Sequence, residues 1–115
     1  MQARGRVAAL LGCHPEEVVF TACGTESDNT AIRSALAANP GKRRIVTTKV
    51  EHPAILGLVD HLKKTAGYDV VLLPVDSEGL LDIEAYKAAL TPDTAIVSVM
   101  WANNETGVVF PIPEL

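Results

Sequence analysis

Short runs rich in β-branched residues alternate along the chain with longer segments whose apolar residues recur at helical spacing, and Gly or Pro stands at most of the changes between them. This alternation constrains the fold most, because strands separated by helix-length crossovers can pair in parallel, whereas strands joined by tight turns cannot. The spacing predicts a helix ending at Leu11 before Gly12, a turn at Pro15-Glu16-Glu17 and a short buried strand over Val18–Thr21. A helix then begins in the acid- and hydroxyl-rich stretch Thr25-Glu26-Ser27-Asp28, places Ala31, Ile32, Ala35 and Leu36 on one face, and stops near Asn39-Pro40-Gly41. The unit repeats as strand Arg44–Thr48, helix from about Pro53 to Lys64, a stop at Gly67, strand Val70–Leu73, a turn over Asp76–Gly79, helix Ile83–Leu90 and strand Ala95–Met100. An α/β fold with a mostly parallel sheet follows. Pro111-Ile112-Pro113-Glu114-Leu115 reads as a fresh helix start, so the chain is expected to be cut from a longer one.

Composition supports this reading. A chain of 115 residues suffices for one domain with a modest core, and with only 4% aromatic residues its apolar content is Ala, Val, Leu and Ile, as in strands covered by helices on both faces. The net charge of −4 gives no electrostatic footprint for nucleic acid, and the one basic cluster, Lys42-Arg43-Arg44, reads as a solvated turn leading into a strand. Arg4 and Arg6 precede the apolar run Val7–Leu11 in the order of an export signal, but the run is too short for one and reads as a helical stripe. Nothing approaches transmembrane length, so a cytoplasmic protein without a membrane partner is expected. Cys13 and Cys23 form neither a disulfide framework nor a zinc knuckle, and His14, His52 and His61 miss the spacing that sets two imidazoles on one helical face. No metal site is expected.

In open α/β sheets ligands bind outside the carboxyl ends of the strands, which directs attention to three polar stretches. They are Ala22-Cys23-Gly24-Thr25, Glu51-His52-Pro53 and Ala102-Asn103-Asn104-Glu105-Thr106-Gly107. Gly24-Thr25 opens a helix, where free N–H groups and the dipole favour an anion by roughly 0.3–2 kcal/mol, although such a pair is also an ordinary cap. His52, between a strand and a proline-started helix, is either a capping or surface histidine or an imidazole directed across the crevice, able to stack on a flat ligand or move protons. Asn103 and Asn104 are either surface turn residues or amides that hold a ring oxygen or a carboxylate. Three such stretches on one sheet edge favour a shared pocket.

Four motifs at once, Phe20-Thr21-Ala22-Cys23-Gly24-Thr25-Glu26-Ser27-Asp28-Asn29, Val50-Glu51-His52-Pro53-Ala54, Leu73-Pro74-Val75-Asp76 and Val97-Ser98-Val99-Met100-Trp101-Ala102-Asn103-Asn104-Glu105-Thr106-Gly107, resemble the cysteine desulfurases of the class V aminotransferase family, and more closely the NifS branch than the IscS branch. The resemblance implies that residues 1–115 are the N-terminal part of the three-layer α/β/α large domain of a fold type I enzyme that binds pyridoxal 5′-phosphate (PLP). It implies that Gly24 and Thr25 hold the cofactor phosphate, that His52 stacks on the ring and moves protons, and that Asn104 contacts the ring oxygen, with Asn103 and Glu105 as neighbours. The reaction implied takes sulfur from L-cysteine, leaving alanine and an enzyme persulfide that an iron–sulfur scaffold protein accepts, in nitrogenase assembly for this branch. The family works as a homodimer, and its Schiff-base lysine, persulfide cysteine and ring-nitrogen aspartate lie beyond the point where this chain stops. Lys49 stands at a variable position and is not expected to replace that lysine, and Cys23 is expected to serve packing. Selenocysteine lyases, other class V enzymes and a non-catalytic module for a phosphorylated ligand are the alternatives.

Overall fold

The computed structural model describes residues 2–115. Helix α1 spans Gln2–Leu11 and ends at Gly12, and a single 3₁₀ turn follows at Pro15–Glu17. Helix α2 (Gly24–Ala38) leads to strand β1 (Arg44–Thr48), helix α3 (Pro53–Ala66), strand β2 (Asp69–Leu73), helix α4 (Ile83–Ala89) and strand β3 (Thr94–Ser98). The three strands form one parallel sheet in the order β2-β1-β3. Elements lie within two residues of the expected bounds except over Val18–Thr21. That segment has no sheet partner among the described residues, and Val19 and Phe20 are 69% and 54% exposed. An apolar run becomes a strand only where another backbone lies alongside it, and none does here.

β1 is the central strand because its sequence suits burial on both faces. Ile45, Val46, Thr47 and Thr48 are all fully buried, and the Thr47 hydroxyl donates to the Ser98 carbonyl at 2.7 Å, which satisfies the polar group inside the core. Alternate side chains then serve two separate cores. Ile45 packs with Ile32 and Leu36 of α2 and Ile55, Leu58, Val59 and Leu62 of α3. Val46 packs with Leu73, Leu81, Tyr86, Ala89 and Phe110 on the opposite face.

This layering follows from topology. The chain crosses from β1 to β2 through α3 and then returns over β1 to β3 through α4, so crossovers of one hand must place their helices on opposite faces. Pro53 opens α3, where its missing N–H costs nothing, and Gly67 ends it at φ 67°. The N–H of Gly67 donates back to the Leu62 carbonyl.

Lys42, Arg43 and Arg44, expected as a solvated turn, are instead engaged at the amino ends of the strands. Lys42 Nζ donates to the Thr94 carbonyl at 3.2 Å, and Arg43 donates to the Ala66 carbonyl while lying 4.2 Å from the centre of the Tyr68 ring. Arg44 pairs with Asp69 at 2.7 Å and donates to the Ala89 carbonyl at 3.1 Å. Three consecutive cations thereby join β1 to β3, α3, β2 and α4. No helix among the described residues is long and apolar enough to cross a membrane.

Candidate functional site

At the opposite end of the sheet, β1 and β3 release two adjacent loops. The first carries Glu51 and His52, the second Asn103 and Asn104. His52 is the N-cap of α3, and its Nδ1 accepts from the Ala54 N–H at 3.1 Å. That bond makes Nδ1 the acceptor of the neutral ring and leaves Nε2 to carry the proton, so capping fixes the tautomer and orientation of an imidazole that remains exposed. The two readings open for His52 are thus compatible.

The second loop is a closed turn. Asn103 N–H donates to Val108 C=O at 2.8 Å, Gly107 N–H donates to Asn103 C=O at 2.9 Å, and Gly107 takes φ 76° to complete the reversal. Asn103 Oδ1 accepts from both Glu105 and Thr106 N–H groups at 2.9 Å, while its Nδ2 donates to the Val50 carbonyl at 3.1 Å. The Asn103 amide is therefore committed to the loops themselves. Asn104 is exposed, and its side chain makes no hydrogen bond among the described residues.

Between the loops lies a cavity of about 300 Å³ lined by Lys49, Glu51 and His52 on one side and by Asn103, Asn104, Glu105 and Thr106 on the other. An adjoining space of about 210 Å³ shares Glu51 and His52 and is bounded also by Asp28 of α2, Ser98 and Met100. The structure thus brings His52 and Asn104 together directly. Gly24 and Thr25 do not line either space, but Asp28, one helical turn further along α2, does. Lys49 reaches the cavity lining as well. A roomier cavity of about 340 Å³ between α3 and β2 is bounded by Leu56, Val59, Val70 and Leu72 with Lys49, Asp60 and Lys63. Its walls are mainly aliphatic, so the smaller one, walled by carboxylates, an imidazole and two amides, suits a polar ligand better.

The start of α2 has the donor set of an anion site. Its N-cap, Cys23, makes no side-chain capping bond, and the N–H groups of Gly24, Thr25 and Glu26 have no partner among the described residues. Gly24 and Thr25 are exposed, and a Cβ added to Gly24 would meet nothing within 4 Å. These free donors, the helix dipole and the Thr25 hydroxyl fit a phosphate. Glu26 turns its carboxylate back onto the Ala22 N–H at 2.7 Å. Cys23, expected to pack, is exposed, because an N-cap side chain at the free start of a helix has nothing to pack against.

Sequence reasoning missed Glu51. Only 7% exposed, its Oε1 accepts from the Met100 N–H at 2.7 Å and from the Thr48 hydroxyl at 3.2 Å. Burial raises its pKa; the bonds from Met100 and Thr48 oppose the rise, and the neighbouring charge of Asp28 adds to it. A carboxylate three residues after a strand's last threonine is the only local signal, and the decisive donor is 49 residues away.

Residues 1–115 match the aminotransferase class-V family model, and the chain belongs to that family. Its sequence is 58% identical to a cysteine desulfurase of Cereibacter sphaeroides over 100% of this chain and 30% of the relative, and 57% identical to the cysteine desulfurase NifS of Azotobacter vinelandii over 99% and 28%. Its fold matches a NifS-like protein with a TM-score of 0.91 at 38% identity, covering 98% of this chain and 31% of the other. It also matches SspA solved in complex with cysteine, with a TM-score of 0.81 at 34% identity, covering 96% and 32%. The chain spans about 30% of the length of these relatives. The parallel α/β architecture is that of fold type I enzymes.

Proposed function

We propose that residues 1–115 are part of the PLP-binding large domain of a cysteine desulfurase, an enzyme that takes sulfur from L-cysteine and leaves L-alanine and a persulfide. The convergence of the His52 loop and the Asn104 loop on one cavity, with a free helix N-terminus close by, carries this reading. PLP, when bound, supplies an electron sink that labilises bonds of the amino acid substrate. The residues present would divide the binding. Gly24 and Thr25 would hold the phosphate through backbone N–H groups and a hydroxyl. The His52 ring, oriented through Nδ1, would lie against the ring face and exchange a proton at Nε2. Asn104, with an uncommitted amide, would donate to the ring oxygen or a substrate carboxylate.

The similarity to NifS favours transfer of the sulfur to an iron–sulfur scaffold protein in nitrogenase assembly, by a homodimer in the cytoplasm. SspA, solved with cysteine bound, favours L-cysteine as substrate. The free α2 N-terminus alone would equally serve a module that holds a phosphorylated ligand without catalysis. PLP titration of a full-length protein carrying this segment, followed by assays of alanine and sulfide from cysteine, separates the two. Stoichiometric PLP binding with alanine release is expected. Phosphate-ligand binding without turnover would favour the module, and no PLP binding at all would defeat the enzyme reading. The 115-residue chain alone is expected to release no sulfide.

A further inference from the structure

Glu51 and His52 are adjacent in sequence but differ in situation. His52 is exposed to the cavity, whereas Glu51 is buried beneath it and binds the other loop. Its Oε1 takes the Met100 N–H at 2.7 Å and the Thr48 hydroxyl at 3.2 Å, and Thr48 Oγ1 in turn takes the Val50 N–H at 3.3 Å. One carboxylate oxygen therefore ties the backbone leaving β1 to the backbone leaving β3. A second tie runs the opposite way, from Asn103 Nδ2 to the Val50 carbonyl. Asn103 Nδ2 also reaches Met100 Sδ at 3.4 Å, but the Met100 N–H has no other partner among the described residues: without Glu51 it would be left unpaired.

We infer that Glu51 is a positioning residue of this site, which together with Asn103 clamps the loop carrying His52 to the loop carrying Asn104. The inference deepens the proposed PLP-binding reading and rests on it for its functional consequence. Two loops without a shared backbone ladder would drift relative to one another, because β1 and β3 cease pairing at Thr47 and Ser98. The cavity walls, and with them the separation of His52 from Asn104, are then set by these side-chain ties. A displacement of about 1 Å at groups that orient a reacting ligand costs on the order of 100-fold in rate.

The test uses the full-length protein carrying this segment, with PLP as the probe. Glu51→Gln keeps an acceptor oxygen for Met100, and Glu51→Leu fills the space without one. Glu51→Leu should weaken PLP binding roughly 10-fold or more, lower kcat more than it changes KM, and speed hydrogen exchange at the Met100 amide. Glu51→Gln should restore all three to within a few-fold. Asn103→Asp, which keeps the acceptor for Glu105 and Thr106 but cannot donate to Val50, should shift PLP affinity in the same direction and serves if Glu51→Leu does not fold. Unchanged PLP affinity and unchanged Met100 exchange in a folded Glu51→Leu or Asn103→Asp protein would overturn the clamp. So would a loss of thermal stability without any change in affinity or kcat, the result of a merely structural role. Failure of the unsubstituted protein to bind PLP would instead defeat the proposed function, leaving Met100 exchange as the measure of the clamp.

Discussion

At the amino ends of the three strands Lys42, Arg43 and Arg44 spend their charges on the Thr94, Ala66 and Ala89 carbonyls, the Tyr68 ring and the Asp69 carboxylate. At the carboxyl ends His52 and Asn104 keep hydrogen-bonding capacity open toward a cavity, and the first N–H groups of α2 stay unpaired among the described residues. Both ends are polar, and both are built from loops. They differ in what the polar groups have left to give, and charge alone does not mark a site. The end with three consecutive cations is a fastening, while the one with neutral amides and an imidazole has the free donors.

The difference predicts that substitutions at the two ends separate into effects on chemistry and effects on stability. His52→Ala in the full-length protein should lower kcat by about 10²–10⁴-fold, the range of a lost acid–base group, while costing only about 1 kcal/mol of stability for the missing cap. Steady-state kinetics and urea unfolding measure the two, and a drop in stability without a drop in kcat would erase the contrast. Arg44→Ala should do the reverse. Losing a partly exposed ion pair and the bond to Ala89 should cost about 1–2 kcal/mol in urea unfolding with PLP affinity unaltered.

Gly24→Ala sharpens the comparison, because the two readouts should move in opposite senses. The added Cβ meets nothing within 4 Å, so the fold should gain up to about 1 kcal/mol from a less flexible unfolded chain. The same methyl would obstruct close approach of a phosphate, and PLP titration should show weaker binding. Smallest is the pH effect of Glu51. Burial raises its pKa above the ordinary 4.5, so between 4.5 and the raised value the folded protein holds a proton that the unfolded chain has released. The stability this group contributes is complete below 4.5 and is lost as pH rises through the folded pKa. Unfolding free energies measured from about pH 4 to neutrality should therefore favour the unsubstituted protein over Glu51→Gln progressively toward acid; a constant difference would show that Glu51 keeps its ordinary pKa.

The parts legible in the sequence were those governed by local rules. β1 announces itself through Ile45-Val46-Thr47-Thr48, and α3 through Pro53 at its start and Gly67 at its end, because periodicity, fixed φ and a left-handed cap act within a few residues. The parts misread depend on distant partners. Val18–Thr21 has strand composition and no neighbour to pair with among the described residues, Lys42–Arg44 have the composition of a solvated turn and are already bound, and Glu51 meets its essential donor only after the chain has crossed the sheet twice. His52 and Asn104 could be proposed from their place after strands, but only the geometry shows that they face one space.

Asn103 and Asn104 are chemically identical neighbours, yet the structure leaves them unequal freedom to change. The hydrogen-bonding directions of the Asn103 amide are taken by Val50, Met100 Sδ, Glu105 and Thr106, so a substitution there must rebuild the loop to be inherited. Asn104 owes nothing to the loop and answers only to whatever occupies the cavity. A lineage that changes its ligand can therefore record the change at 104 while 103 stays fixed, and descendants of one ancestor would diverge in specificity without losing the turn that displays it.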